Sequence, residues 1–239
     1  FLPPANSINW GRLLPQIVYY FSAYCDAVNG GMIAMGDKLN FVVPTGNFGD
    51  ILAGWYAKQM GLPVGKLVCA SNANNVLTDF IHTGTYDKNR PFHTTASPSM
   101  DILVSSNLER LLYSLCGSDT EVAGYMQQLR EQGGSSAAVH PPENAAQRLG
   151  AALGQAFGLT LPTEAFAGGC CNDIQTREKI GRAWRDHRYL IDTHTAVAYH
   201  VLDEYRRETG DAAPAVVVST ASPFKFCDQV LRGIGGTAD

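Results

Sequence analysis

Positive charge is in deficit along this 239-residue sequence, where 18 Lys and Arg face 22 Asp and Glu for a net charge of −4. Proteins that hold nucleic acid or an anionic membrane surface normally carry a basic face, so any anion site here has to be local. Long apolar runs are missing as well; none approaches the ~20 residues of a membrane-spanning helix. The six cysteines, Cys25, Cys69, Cys116, Cys170, Cys171 and Cys227, show no metal-ligand spacing, and adjacent Cys170 and Cys171 make a poor disulfide. Reduced thiols in a cytoplasmic protein are the simplest account. His82, His93, His140, His187, His194 and His200 also lack metal-site spacing, so no metal is expected, and His194 reads as part of a helix start. Ser97, Ser99, Ser105 and Ser106 lack the strand-turn-helix setting of a hydrolase nucleophile. Residues 1–4 do not resemble a cleavable signal. The missing initiator Met leads us to expect a fragment of a longer protein.

What is present is an ordinary globular composition, 45% hydrophobic and 17% charged, in a chain long enough to bury a sizeable core. Short β-branched runs alternate with longer amphipathic segments, which predicts an α/β fold with a mostly parallel twisted sheet flanked by helices. Asn6 and Ser7 read as the cap of a helix carrying Ile8, Leu13, Leu14, Ile17, Val18 and Phe21, bent by Pro15 unless that residue lies near the first turn. Strands are expected over 41–43, 67–70 and 215–218, the first followed by a helix over 51–60 that stops at Gly61. A helix is expected over 76–82. Ser106 and Glu109 form a capping-box pattern ahead of Leu108, Leu111, Leu112 and Leu115. From 120 to about 159 the pattern is mainly helical, broken by glycines and serines at 133–136 and by Pro141 and Pro142. Further helices are predicted over 173–188 and 194–206, the latter capped by Asp192 or Thr193.

The segment Pro44-Thr45-Gly46-Asn47-Phe48-Gly49-Asp50, between a predicted strand and a predicted helix, carries the chemistry. Gly46 and Gly49 let backbone amides turn toward an anion, and the helix start adds unpaired donors and a favourable dipole end. No lysine follows the second glycine and no third glycine completes a dinucleotide spacing, so the anion is not a nucleotide polyphosphate. The same residues also read as a tight turn with Asp50 as N-cap. Asn47 can donate to a phosphate oxygen, and Phe48 can pack beside a ring or shield the anion. Ser219 and Thr220, just past the last strand, can offer a hydroxyl to a pyridine nitrogen or simply make a turn. Asn72, Asn74 and Asn75 have loop and helix-start duty as their default reading.

Taken together, the sequence resembles the carboxyl-terminal part of threonine synthase, a pyridoxal-phosphate enzyme of the tryptophan-synthase-β fold type (fold type II). The likeness covers most of residues 1–110 and 190–230. It rests on Asn6-Ser7-Ile8-Asn9-Trp10-Gly11-Arg12, the 44–50 segment, Ser99-Met100-Asp101-Ile102, Ser105-Ser106-Asn107 with Glu109-Arg110, Asp192-Thr193-His194-Thr195-Ala196-Val197, and Ser219-Thr220-Ala221 with Pro223 and Lys225-Phe226. By that resemblance residues 1–239 form a large-domain portion with a divergent, mainly helical region at about 120–190. Gly46, Asn47, Phe48, Gly49 and Asp50 would hold the cofactor phosphate and Thr220 would face the pyridine nitrogen. A neutral hydroxyl there implies a ring nitrogen left largely unprotonated. Ser222 stands where the family often has histidine.

The family converts O-phospho-L-homoserine and water into L-threonine and phosphate: protons leave the α and β carbons, phosphate leaves the γ carbon and water adds at β. Its Schiff-base lysine lies upstream, in a Phe-Lys-Asp-like motif that this sequence does not contain; Lys225 matches the family's carboxyl-terminal motif instead. The chain alone is therefore expected to bind cofactor weakly or not at all, with no catalytic residue of its own. A related phospho-lyase activity, or a non-catalytic partner or regulatory domain, are the alternatives. Asn6, Ser7, Arg12 and Arg110 are conceivable contacts for a substrate phosphate, with salt-bridge or capping duty as their default.

Overall fold

The computed structural model describes residues 8–131 and 162–236. Its centre is a four-stranded sheet in the order β3-β2-β1-β4, with every neighbouring pair parallel. The strands are β1 (Leu39–Pro44), β2 (Val64–Ser71), β3 (Phe166–Cys170) and β4 (Ala215–Val217). All six residues of β1 are buried, as expected of an inner parallel strand covered on both faces. Alternate side chains go to opposite layers: Leu39, Phe41, Val43, Leu67 and Cys69 join one core cluster, while Val42, Val68 and Ala70 join the other.

The first layer is built by α1 (Trp10–Asn29), α2 (Gly49–Gln59), α3 (Val76–Thr83) and α4 (Leu108–Cys116), with α5 (Asp119–Glu131) beyond α4. In α1 the buried positions Leu13, Ile17, Tyr20, Tyr24 and Ala27 recur every three or four residues, the spacing of one helix face. Its cap is Asn9, whose Oδ1 accepts from the Gly11 amide at 2.9 Å, so the helix starts later than the sequence suggested; Asn6 and Ser7 lie outside the described residues. Pro15 sits inside α1 without ending it. It and Gly11 are exposed, so the Gly11 carbonyl that loses its donor faces water.

The second layer is α8 (Thr193–Thr209), whose Val197, Ala198, Val201 and Leu202 press on the other face of the sheet. Outside it lie α7 (Asp173–His187) and α9 (Cys227–Gly233). The short α6 (Pro162–Ala165) leads into β3. That strand lies inside the stretch at about 120–190 expected to be mainly helical, whose other described elements are helices. Its sequence, Phe-Ala-Gly-Gly-Cys, has no β-branched residue because the neighbours come too close. A Cβ on Gly168 would stand 3.1 Å from the Thr78 Cα, and one on Gly169 would stand 2.7 Å from Val201 Cγ1. The predicted helical pattern over 133–159 falls outside the described residues.

The capping box expected at Ser106 and Glu109 is absent. Helix α4 forms where predicted, but its N-cap is Asn107 and no side chain bonds the first turn. A capping box does appear at α7, where Asn172 accepts from the Ile174 and Gln175 amides and Gln175 accepts from the Asn172 amide.

Candidate active site at the carboxyl edge of the sheet

In parallel α/β sheets the loops leaving the carboxyl ends of the strands leave a crevice that neither layer fills. Here the loops after β1 and β4, which are neighbours in the sheet, bound a cleft of about 420 Å³. Gly46, Asn47, Phe48, Gly49, Asp50 and Thr220 all line it, so the six residues singled out from the sequence are brought together. Ser99, Met100, His194, Lys225 and the Arg12 and Gln16 side of α1 complete its wall.

The 44–50 loop is held by its carbonyls. Ser105 Oγ donates to the Gly46 carbonyl at 3.1 Å, and the Asn107 side chain and backbone amide donate to the Asn47 carbonyl at 2.8 and 3.2 Å. Asn107 is fully buried, which makes it a rigid anchor. By contrast, the amides of Gly46, Asn47, Phe48 and Gly49 find no acceptor among the described residues. Gly46, Phe48 and Gly49 are buried while Asn47 is exposed; buried N–H groups are nearly always paired in folded proteins, so this run of amides leading into a helix start marks a place for an anion. Gly46 is required by contact: a Cβ there would lie 2.8 Å from the Ser99 carbonyl oxygen and 3.2 Å from the Met100 Cα.

Phe48 corrects one expectation. Its ring does not face the cleft; it is 2% exposed and packs on Phe166 with centroids 5.9 Å apart. Its backbone is in the left-handed region, φ 60° and ψ 11°, a conformation that costs a side-chain-bearing residue about 1 kcal/mol. The buried ring holds that strained turn in place. Phe48 can therefore act on a ligand through its N–H rather than its ring.

Asp50 is not the N-cap that the turn reading required, since α2 has no side-chain cap. Instead Tyr20 Oη donates to the Asp50 carbonyl at 2.8 Å and lies 3.2 Å from Oδ1. Burial pushes the Asp50 carboxyl up to about 6, with the Tyr20 bond pulling it partly back. A carboxyl whose folded pKa exceeds its unfolded value binds more protons in the folded state, so it removes stability as pH rises from about 4 to about 6. Asp50→Asn is accordingly expected to be more stable than the parent by ~1–3 kcal/mol at pH 7. That advantage should vanish by about pH 4 in denaturant titrations; a difference that stays constant across this range would contradict the assignment.

At the start of α8 the fully buried Asp192 accepts from the His194 amide at 2.8 Å, from the Thr195 amide at 3.3 Å and from the Thr195 hydroxyl. It also faces His194 Nδ1 at 3.1 Å. Burial alone would raise its pKa, but the bonds from His194 and Thr195 outweigh that and lower it. Thr195 Oγ1 lies 3.1 Å from Ser219 Oγ, tying the helix start to the loop after β4. Thr220 is exposed beside it. Ser222 Oγ accepts from the Phe224 amide at 3.3 Å, so this residue caps the turn that follows.

The remaining polar residues hold the frame. Asn72 Nδ2 reaches Thr95 Oγ1 at 2.8 Å and Asp101 Oδ1 at 2.7 Å, and Asn74 exchanges bonds with the His93 backbone. This fixes the 93–101 segment that brings Ser99 against Gly46. Asn75 bonds Asp79 at 3.2 Å. Arg110 donates to Asn107 Oδ1 and to the Ile8 carbonyl. Sequence reasoning missed Gln16 and gave His194 only a helix-start role; the Asp-Thr-His-Thr string was the available signal. Among the described residues no group of His, Cys, Asp and Glu is arranged to hold a metal, and no helix is long and apolar enough to cross a membrane.

Residues 195–239 match the family model described as threonine synthase, C-terminal. The chain is 40% identical to human threonine synthase-like 1 over 234 residues, 98% of this chain and 29% of that protein. It is 39% identical to the threonine synthase of Corynebacterium glutamicum, covering 96% of this chain and 44% of that one. The crystal structure of pyridoxal-phosphate-bound threonine synthase from Brucella melitensis superposes with a TM-score of 0.79 at 38% identity, over all of this chain and 46% of the other. The chain thus spans less than half the length of these relatives. Since the matches run almost end to end along the sequence and agree with its parallel sheet, the chain resembles the carboxyl-terminal part of threonine synthase and has the fold of the type II pyridoxal-phosphate enzymes.

Proposed function

We propose that the 44–50 loop holds the phosphate of pyridoxal 5'-phosphate in a longer, threonine-synthase-like lyase. The observation that carries this reading is the row of Gly46, Asn47, Phe48 and Gly49 amides without acceptors, in a loop whose carbonyls are already tied down. The donor set fits the group: amides at a helix start are suited to a phosphate, and the Gly46 contact with Ser99 leaves no room for a side chain in the cradle. When bound, the cofactor supplies an electron sink for carbanions next to an imine carbon. The chain's own part is to grip and orient it. The loop amides bind the phosphate, Asp50 sets the local charge at the start of α2, and Thr220 offers a neutral hydroxyl to the ring nitrogen.

The substrate read from the resemblance is O-phospho-L-homoserine, converted with water to L-threonine and phosphate. Arg12 and Lys225 put positive charge on the cleft wall, in keeping with an anionic substrate. The described cysteines are unpaired, in keeping with a cytoplasmic setting. No lysine of the described cleft has the sequence setting of the family's Schiff-base lysine, so this chain alone binds cofactor weakly and turns over nothing. A phospho-lyase that releases phosphate without retaining the hydroxylated product is the second reading; the human relative is named threonine synthase-like rather than threonine synthase. Product analysis on the longer protein separates the two.

The test is an amide-resolved NMR titration of the chain with inorganic phosphate. Saturable shifts at Gly46, Asn47, Phe48 and Gly49 are expected. Shifts confined to surface lysines and arginines would remove the cradle. Borohydride treatment after addition of pyridoxal phosphate should leave no adduct that Lys225→Ala specifically abolishes; such an adduct would show a covalent lysine in this chain after all.

A further inference from the structure

His194 is 3% exposed, its ring packs at a tilt against Phe226 with centroids 4.8 Å apart, and it lines the cleft. Its two nitrogens have different surroundings. Nδ1 faces the Asp192 carboxylate, which can only accept, so the proton of the neutral ring resides on Nδ1. Nε2 is left with a lone pair, buried, and without a partner among the described residues. Leaving such an atom unpaired is costly, and folded proteins rarely do so. Gln16 Oε1 is also buried, unpartnered and on the wall of the same cleft. Of the three buried side-chain atoms without partners among the described residues, only Gln128 Oε1 lies away from it.

Both orphans in the cleft are acceptors. A fully ionised phosphate, which only accepts, satisfies neither, whereas a hydroxyl or protonated amine on another part of the ligand satisfies both. We infer that His194 Nε2 is a binding position of the cleft that takes a hydrogen bond from a hydroxyl or protonated amine on the ring-bearing part of a phosphate ester, with Gln16 as a second acceptor on the wall of the same cleft. Asp192 then acts as a positioning residue, holding the proton on Nδ1 and the ring against Phe226. This deepens the proposed cofactor reading and rests on it.

Pyridoxine 5'-phosphate, which has ring hydroxyls and no aldehyde, is the probe, with inorganic phosphate as its comparator. In a chain carrying ¹⁵N-labelled histidine, the His194 Nε2 resonance is expected to move upfield on adding pyridoxine phosphate and to stay put with inorganic phosphate. His194→Asn keeps a donor for Asp192 and removes Nε2, so its dissociation constant for pyridoxine phosphate should rise about tenfold, the worth of one hydrogen bond. If neither ligand moves the Gly46 to Gly49 amides, the cradle reading itself falls. If the amides respond but Nε2 does not move and His194→Asn binds as tightly as the parent, only the role of His194 is overturned. Should His194→Asn fail to fold, the Nε2 shift in the parent chain decides alone.

Discussion

Gly46→Val is expected to abolish measurable phosphate binding and to destabilise the chain by ~1–3 kcal/mol. The reason is contact rather than propensity: the first atom of any side chain at this position would lie 2.8 Å from the Ser99 carbonyl oxygen, with the Met100 backbone close behind. That backbone is not free to withdraw. Asn72 and Asn74 bind the 93–101 segment through buried amide bonds, and Ser105 and Asn107 fix the other side of the loop. Overpacking a rigid site costs about 1–3 kcal/mol. The loop can relieve the clash only by rotating its amides away from the cleft. Hydrogen bonds to a charged acceptor are worth about 1.5–3 kcal/mol each, so losing two of them weakens binding by roughly a hundredfold or more. Denaturant unfolding and phosphate titration of the same variant check both halves. Unchanged phosphate affinity in a folded Gly46→Val protein would mean that the anion does not sit in this loop.

Asp192→Ala is expected to cost ~3–5 kcal/mol, the largest effect of any single polar substitution near the cleft. The carboxylate caps α8 through two backbone amides, a contribution of about 1–2 kcal/mol. Its removal also leaves the buried His194 Nδ1 proton without its carboxylate and the Thr195 hydroxyl with Ser219 Oγ alone, at about 1–3 kcal/mol for a group left unpaired. The pH dependence has a definite sign. Because the folded-state pKa is lowered, the Asp192 contribution is complete above its unfolded value near 4 and is lost as pH falls through the folded value. The gap between parent and Asp192→Ala should therefore narrow only in strong acid. Asp50 behaves in the opposite sense, losing its unfavourable effect between about pH 6 and pH 4. A variant gap at Asp192 that grew on acidification would show that the carboxylate is not the acceptor described.

Much of this architecture was legible from local pattern. The runs at 41–43 and 67–70 are apolar at every position because inner parallel strands are covered twice, and Asp192 announced the start of α8 by its residue type. Strand β3 was hidden for the opposite reason: Gly168 and Gly169 carry no strand signal, and their role appears only once Thr78 and Val201 are seen pressing on them. The capping-box pattern at Ser106 and Glu109 misled because tertiary structure recruits the neighbouring residues, with Ser105 and Asn107 bonding the 44–50 loop instead of the helix. At the site, Gly46 and Gly49 mark a loop that the structure puts between β1 and α2, and Thr220 lines the same cleft. The inward turn of the Phe48 ring and the unpaired Nε2 of His194 were not readable, since each depends on a contact with a distant residue, Phe166 in one case and Phe226 in the other.

The most direct measurement is a crystal structure of this chain with pyridoxal 5'-phosphate. The account predicts phosphate density within hydrogen-bonding distance of the Gly46, Asn47, Phe48 and Gly49 nitrogens, with the ring toward Thr220 and His194. Density for the phosphate elsewhere, with those four nitrogens bonded to protein carbonyls, would contradict it.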